Sequence, residues 1–141
     1  MDKAFQTIRL VHLSFIGTWF LFLLLFKIIA PVQGAPPPYL PVALGLVCLT
    51  DIAIGFLRRS RSFLEAAKLL SQDPESKSGI ARWRVANILS FAFAQTVTLF
   101  GVVLKFLGAE WKIAGIFFAV GLLLLLLWTP RKIEVLPQGV R

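Results

Sequence analysis

The stretch VANILSFAFAQTVTLFGVVLKFL, residues 85–107, decides the fold class of this chain. It carries no charged side chain between Arg84 and Lys105. A helix of about 20 such residues crosses the roughly 30 Å hydrocarbon core of a bilayer. Gln95 lies about midway along it. The stretch therefore predicts a transmembrane helix with one amide near the bilayer midplane.

Three more segments are apolar enough to span. They lie at about 10–30, 40–57 and 113–129, and the last is the shortest. The 141 residues are 57% hydrophobic with a mean hydropathy of +0.80, which is typical of membrane proteins. We predict a single all-α membrane domain over 1–141, with four transmembrane helices in an antiparallel bundle. Pro31 and a proline-rich connection end the first span, and the short GAEWK connection pairs the third and fourth.

The basic residues predict the orientation of these spans. All the Lys and Arg except Lys27, Lys105 and Lys112 precede the first span, follow the fourth, or lie between the second and third. The positive-inside rule then places both termini and the 58–84 segment in the cytoplasm. We assign the net charge of +8 to topology and anionic lipid contact, and expect no nucleic-acid partner. Interfacial positions are predicted for three tryptophans, Trp83, Trp111 and Trp128.

The 58–84 segment has helical periodicity of its own. SFLEAAKLL places apolar residues on one helical face, so the second span should continue or restart as a cytoplasmic helix. That helix should stop near residues 71–74. Asp73 followed by Pro74 resembles an N-cap and a first helical residue.

Residues that carry catalytic chemistry are sparse. Cys48 and His12 are the single cysteine and histidine, and no nucleophile–base pair, phosphate loop or metal-ligand spacing is visible. We therefore predict no enzyme activity, no catalytic or metal residue and no cofactor. A cofactor held at His12 is the weaker alternative, which a visible spectrum would test.

Polar groups inside a bilayer are costly and often functional. Gln95 is either a hydrogen-bonding contact across a helix interface or part of a site. Asp51, the only acid inside a predicted span, is either in a local polar contact, with Thr50 or a loop arginine, or an ion or proton site. Small residues that allow close helix approach recur around Gln95, at Ala86, Ser90, Ala94, Thr98 and Gly101.

Residues 64–104 resemble the helical hairpin of rotary ATP synthase c subunits, the proteolipids of the membrane rotor. The matching positions are Leu64, Glu65 and Ala66 at the end of the first helix, Gln72, Pro74 and Glu75 in the loop, and Ala92, Ala94, Gln95, Leu99, Phe100, Gly101, Val102 and Val103 in the second helix. The family's ion-carrying carboxylate falls on Gln95, which does not titrate. The resemblance therefore implies packing in place of conventional proton carriage.

The chain also departs from that family. It has one extra span on each side of the hairpin, and the glycine-rich first helix is reduced to Gly45 and Gly55. Sodium-binding members pair a first-helix glutamine with the second-helix carboxylate. Asp51 and Gln95 would be a transposed version of that pair, with Thr50 or Thr96 nearby.

Two functions follow from these patterns. The favoured one is a non-enzymatic structural or accessory subunit in the bilayer. It would form a homo-oligomer or dock on other membrane subunits through its small-residue faces. The alternative is a small ion- or proton-translocating subunit that uses Asp51 with Gln95. The expected location is a multi-pass position in the bacterial inner (cytoplasmic) membrane.

Overall fold

The computed structural model describes residues 2–28, 34 and 36–131, and this part of the chain is helical with short connections. The four helices are α1 (Asp2–Ile28), α2 (Tyr39–Gln72), α3 (Lys77–Phe106) and α4 (Trp111–Leu127). The all-α prediction is confirmed for these residues. The predicted end of the first span at Ala30 and its closure at Pro31 lie outside them, as do residues 32, 33 and 35 of the following connection and the basic residues Lys132 and Arg141.

Three helices are long and apolar enough to cross a membrane: α1, α2 and α3. This supports an integral membrane protein. The fourth helix is more apolar than these three but has 17 residues, which corresponds to about 26 Å at helical rise. It is therefore a little shorter than a typical hydrocarbon core.

α2 continues without a break from the predicted second span into the predicted cytoplasmic helix. Its end corrects one prediction, because Asp73 does not begin α3. The Asp73 N–H still donates to the Leu69 carbonyl of α2, and its carboxylate accepts the Glu75 N–H at 2.9 Å. The N-cap of α3 is Ser76, whose hydroxyl accepts the Gly79 N–H at 3.3 Å. Asp73 thus forms a local turn between the helices.

α3 is the central helix, because it packs against α1, α2 and α4. Half of the residues in the most apolar 18-residue stretch of α3 are buried. The corresponding shares are 17% for α1 and 11% for α2. The sequence of α3 does not reveal that it is central, because an apolar helix has only a weak amphipathic pattern. The outer surfaces of α1 and α2 are instead exposed apolar side chains, as expected for helices in contact with lipid.

Ring contacts show how the helix ends meet. Phe5 of α1 packs on Trp83 of α3, with ring centroids 6.4 Å apart. Trp83 Nε1–H in turn donates to the Arg131 carbonyl at 3.2 Å. Towards the other end, Phe26 packs on Trp111 at 4.4 Å. The start of α1, the start of α3 and the end of α4 therefore lie at one end of the helix assembly.

The three tryptophans differ in burial, while their interfacial depth stays a prediction. Trp83 and Trp128 are buried inside the protein, at 0% and 2% exposure, so they fill the end of the core and do not form an outward aromatic belt. Trp111 is half exposed. The sequence shows where a tryptophan lies along its helix. Whether a neighbouring helix covers it depends on the tertiary structure.

Candidate functional site

The four residues of the predicted ion site are not joined by hydrogen bonds. Thr50 donates to the Leu46 carbonyl and Thr96 to the Ala92 carbonyl, each within its own helix. Asp51 is half-buried on α2 and makes no side-chain hydrogen bond or ion pair within the described residues. Neither the local contact with Thr50 nor a bond to Gln95 is observed.

Gln95 is buried, at 7% exposure. Neither Nε2 nor Oε1 of its amide finds a hydrogen-bond partner among the described residues. The hydrogen bond across a helix interface that the sequence favoured is therefore absent from this part of the chain. A buried amide without a partner costs free energy, which makes Gln95 a useful position for substitution.

The small-residue row of α3 is buried within the chain itself. All five members, Ala86, Ser90, Ala94, Thr98 and Gly101, are buried. Ser90 and Thr98 direct their hydroxyls to carbonyls of their own helix, those of Ala86 and Ala94. These residues therefore present little polar surface to a neighbouring helix.

α4 occupies much of that row. A methyl group added at Gly121 would meet Thr98 Oγ1 and would lie 3.0 Å from the Ala94 carbonyl oxygen. One added at Gly101 would lie 2.9 Å from the Ala114 carbonyl oxygen. Glycine on either helix thus permits a backbone approach of the kind that small residues support in membranes. The connection before α4 also uses a glycine, Gly108, at a φ of 89°, which favours glycine.

His12 and Trp19 of α1 bind backbone carbonyls of α4. His12 Nε2 lies 2.8 Å from the Leu125 carbonyl oxygen, and Trp19 Nε1–H donates to the Phe118 carbonyl at 3.1 Å. Because a carbonyl oxygen only accepts, this bond requires the hydrogen on Nε2 of His12. Leu125 lies in the last turn of α4, where carbonyls lack intrahelical partners. His12 is therefore a side-chain cap for the end of α4.

A groove lies beside the end of α4, and we call it the Arg59 groove. It has a volume of about 440 Å³ and is lined by Phe56, Arg59, Ser60, Phe63, Leu127, Trp128 and Arg131. The Arg59 guanidinium carbon lies 4.7 Å from the Phe63 ring centroid. Burial, and to a smaller extent the nearby charge of Arg131, lower the pKa of Arg59 from its ordinary value to about 10.

Sequence reasoning did not find this groove. It treated Arg59 and Arg131 as two of many topology-setting charges, and they lie far apart in the chain. The helical periodicity of 58–84 was the available signal, because a continuous α2 carries Arg59 alongside the end of α4. No sequence feature places Arg131 next to it.

A second groove is entirely different in character, and we call it the Gly45 groove. It measures about 380 Å³ between α2, α3 and α4 and is lined by Val42, Gly45, Leu46, Cys48, Leu49, Ile52, Val97, Ile116, Phe117 and Val120. No methyl group added at Gly45 would come within 4 Å of another group. The groove is therefore open and apolar along the predicted second span.

In the residues that the structure describes, the chain is thus helical, with three helices that can cross a membrane. No protein-family model, curated protein or solved structure matches it. Among the described residues, no three His, Cys, Asp or Glu side chains are grouped to hold a metal ion. The two grooves and the buried polar groups are therefore the features of the molecule that bear on its function.

Proposed function

We propose that this chain is a non-enzymatic integral membrane protein that acts as a structural or accessory subunit. It self-assembles or docks on a larger membrane complex in the bacterial cytoplasmic membrane. All four helices span in an antiparallel bundle, with both termini and the 58–84 segment on the cytoplasmic side. The meeting of Phe5, Trp83 and the Arg131 carbonyl at one end of the helices supports this topology, because basic residues concentrate there.

A span by α4 requires a local adjustment. Its roughly 26 Å of helix is a few ångströms shorter than the hydrocarbon core, and bilayer thinning accommodates a mismatch of that size at modest cost. The helix also carries no charged residue between Lys112 and Arg131. Its composition therefore favours hydrocarbon over a partly wetted position.

The observation that carries the accessory role is the open Gly45 groove. The small-residue row of α3 is already covered by the chain's own helices, so it holds this subunit together. Of the two glycines on α2, Gly45 has open surroundings, whereas Gly55 packs against Trp128 and Phe93. An apolar groove beside a small residue allows a helix of a second subunit to approach closely. We therefore assign docking to α2 and not to the α3 row.

The test blocks the groove with a side chain and compares a matched position. Gly45→Phe fills the Gly45 groove, whereas Gly17→Phe adds the same ring on α1, where an added methyl also meets nothing within 4 Å. We expect the Gly45 variant to lose cross-linked oligomers or co-purified subunits in a mild detergent, and the Gly17 variant to keep them. Light scattering after size exclusion measures the mass of each assembly.

Three results are decisive. A strictly monomeric wild-type protein, with no co-purified subunit in membranes or detergent, contradicts the accessory role. Loss of assembly in the Gly17 variant alone moves the docking face to α1 and contradicts the assignment to α2. Equal assembly in both variants also contradicts the α2 assignment.

The ion-translocating alternative rests on one observation, the half-buried carboxylate of Asp51 inside the predicted second span. Acidic residues within membrane spans are rare and can mark ion or proton pathways. Asp51→Asn removes the charge with little change in shape. Unchanged ion flux in reconstituted liposomes would exclude this alternative. The resemblance to the c-subunit hairpin stays a prediction in either case.

A further inference from the structure

The Arg59 groove combines buried hydrogen-bond donors that lack acceptors. Arg59 Nη1 and Trp128 Nε1 are both buried and find no hydrogen-bond partner in the described part of the chain. Trp128 is 2% exposed. Buried donors are normally satisfied in folded proteins. Two of them lining one groove therefore indicate an acceptor that lies outside the described residues.

The groove also carries positive charge at Arg59, and no carboxylate among the described residues pairs with it. In the described part of the chain an ion pair joins Glu65 to Arg82, and Arg59 has no carboxylate partner there. Burial and the charge of Arg131 both disfavour protonated Arg59. An anion between the two guanidinium groups would reverse both effects, because it supplies opposite charge and accepts hydrogen bonds.

We propose that the Arg59 groove binds a phosphate group, either in the headgroup of an anionic lipid or as a free phosphate. Guanidinium groups recognise phosphate oxygens through paired, charge-assisted hydrogen bonds. Trp128 Nε1–H and the Ser60 hydroxyl add neutral donors at the same groove. Phe56, Phe63 and Leu127 line its remaining walls, so apolar atoms attached to the phosphate would also be accommodated. This site is separate from the docking proposed at Gly45.

The experiment measures phospholipid binding to the full-length protein in a neutral detergent by native mass spectrometry. Phosphatidylglycerol is the probe, and zwitterionic phosphatidylcholine is the comparison lipid. The variants are Arg59→Gln and, as the matched control, Arg61→Gln, which removes the same charge from an exposed position on the same helix. We expect Arg59→Gln to weaken phosphatidylglycerol binding by about tenfold, the loss of a strong charge-assisted bond. Arg61→Gln should change it less than about twofold, because exposed charges contribute little.

A second variant tests the site even if Arg59→Gln does not fold. Trp128→Phe keeps an aromatic ring at this position but removes the indole N–H, and should weaken binding by about threefold, the effect of one neutral hydrogen bond. Circular dichroism and size exclusion identify variants that are folded. Equal weakening by Arg59→Gln and Arg61→Gln would show that the lipid binds through general surface charge, and would contradict the proposed site. Wild-type binding in both Arg59→Gln and Trp128→Phe would overturn it as well.

The source of the phosphate is decided by competition. Displacement of phosphatidylglycerol by sodium phosphate, but not by sodium chloride at equal ionic strength, assigns the groove to free phosphate. Persistence of the lipid in sodium phosphate assigns it to a lipid headgroup.

Discussion

Gly121→Ala should weaken the packing of α4 on α3, although alanine is the better helix former. The added methyl would meet Thr98 Oγ1 and would lie 3.0 Å from the Ala94 carbonyl oxygen and 3.2 Å from Thr98 Cβ. Two of these neighbours are on the backbone or next to it, so they do not move aside by a simple rotamer change. The two helices must separate or tilt to admit the methyl group.

The matched control is Gly115→Ala on the same helix, where an added methyl group meets nothing within 4 Å. Both substitutions gain the helix propensity of alanine, up to about 1 kcal/mol, so this gain cancels in the comparison. Overpacking in a tight core costs about 1–3 kcal/mol. We therefore expect Gly121→Ala to be less stable than Gly115→Ala by about 1–3 kcal/mol.

The assay is unfolding of each variant by SDS in mixed micelles, followed by circular dichroism and tryptophan fluorescence. Thr98→Ala removes the hydroxyl that the methyl group of Gly121→Ala would meet, so the double variant should recover part of the loss. A double-mutant cycle measures that coupling. Equal stability of Gly121→Ala and Gly115→Ala would refute the close approach of α3 and α4 described above.

Three further substitutions test the buried polar groups. His12→Phe keeps the ring that packs 4.8 Å from Phe91 but leaves the Leu125 carbonyl without its donor. It should cost about 1–3 kcal/mol of unfolding free energy, and a stability equal to wild type would contradict the capping role. Gln95→Leu replaces an unpartnered buried amide with an apolar side chain of similar size, so the same unfolding assay should show a gain of about 1–2 kcal/mol; a loss would show that the amide has a partner. For Arg59, the folded-state pKa of about 10 lies below the ordinary value of an arginine. Without an anion, the charged form therefore opposes folding below about pH 10, and this penalty fades as the pH rises from there towards the ordinary arginine pKa. Arg59→Gln without added phosphate should therefore be at least as stable as wild type at pH 7, and a marked loss in thermal unfolding would contradict this sign.

Much of the helical architecture was predictable, because helix formation across a bilayer depends on local properties. The length and hydropathy of residues 85–107 are sufficient to predict α3, and the periodicity of SFLEAAKLL predicts that α2 continues beyond its apolar part. The start of α3 was predicted wrongly at Asp73. Asp and Ser both cap helices and both form local turns, and the sequence does not show that α2 still uses the Asp73 N–H.

The candidate sites were less predictable, because each depends on residues distant in the chain. Gln95 is conspicuous as the amide in an apolar run, but only packing shows that both of its polar atoms lack partners. The small-residue row of α3 was predicted as a surface for helix packing. Its neighbour within the chain, Gly121 on α4, had no distinguishing sequence signal among the apolar residues of that helix.

The sequence by itself determined that the chain is helical, that its helices are apolar enough for a membrane, and where its basic residues concentrate. These properties follow from residue type and spacing along one segment. Only the tertiary structure decided that α3 is central, that His12 caps α4, and that Arg59 lies beside Arg131. Apolar helices of similar composition have many possible pairings, and the close approaches permitted by Gly101 and Gly121 select among them. The Arg59 groove exists because that pairing brings the end of α4 to the middle of α2.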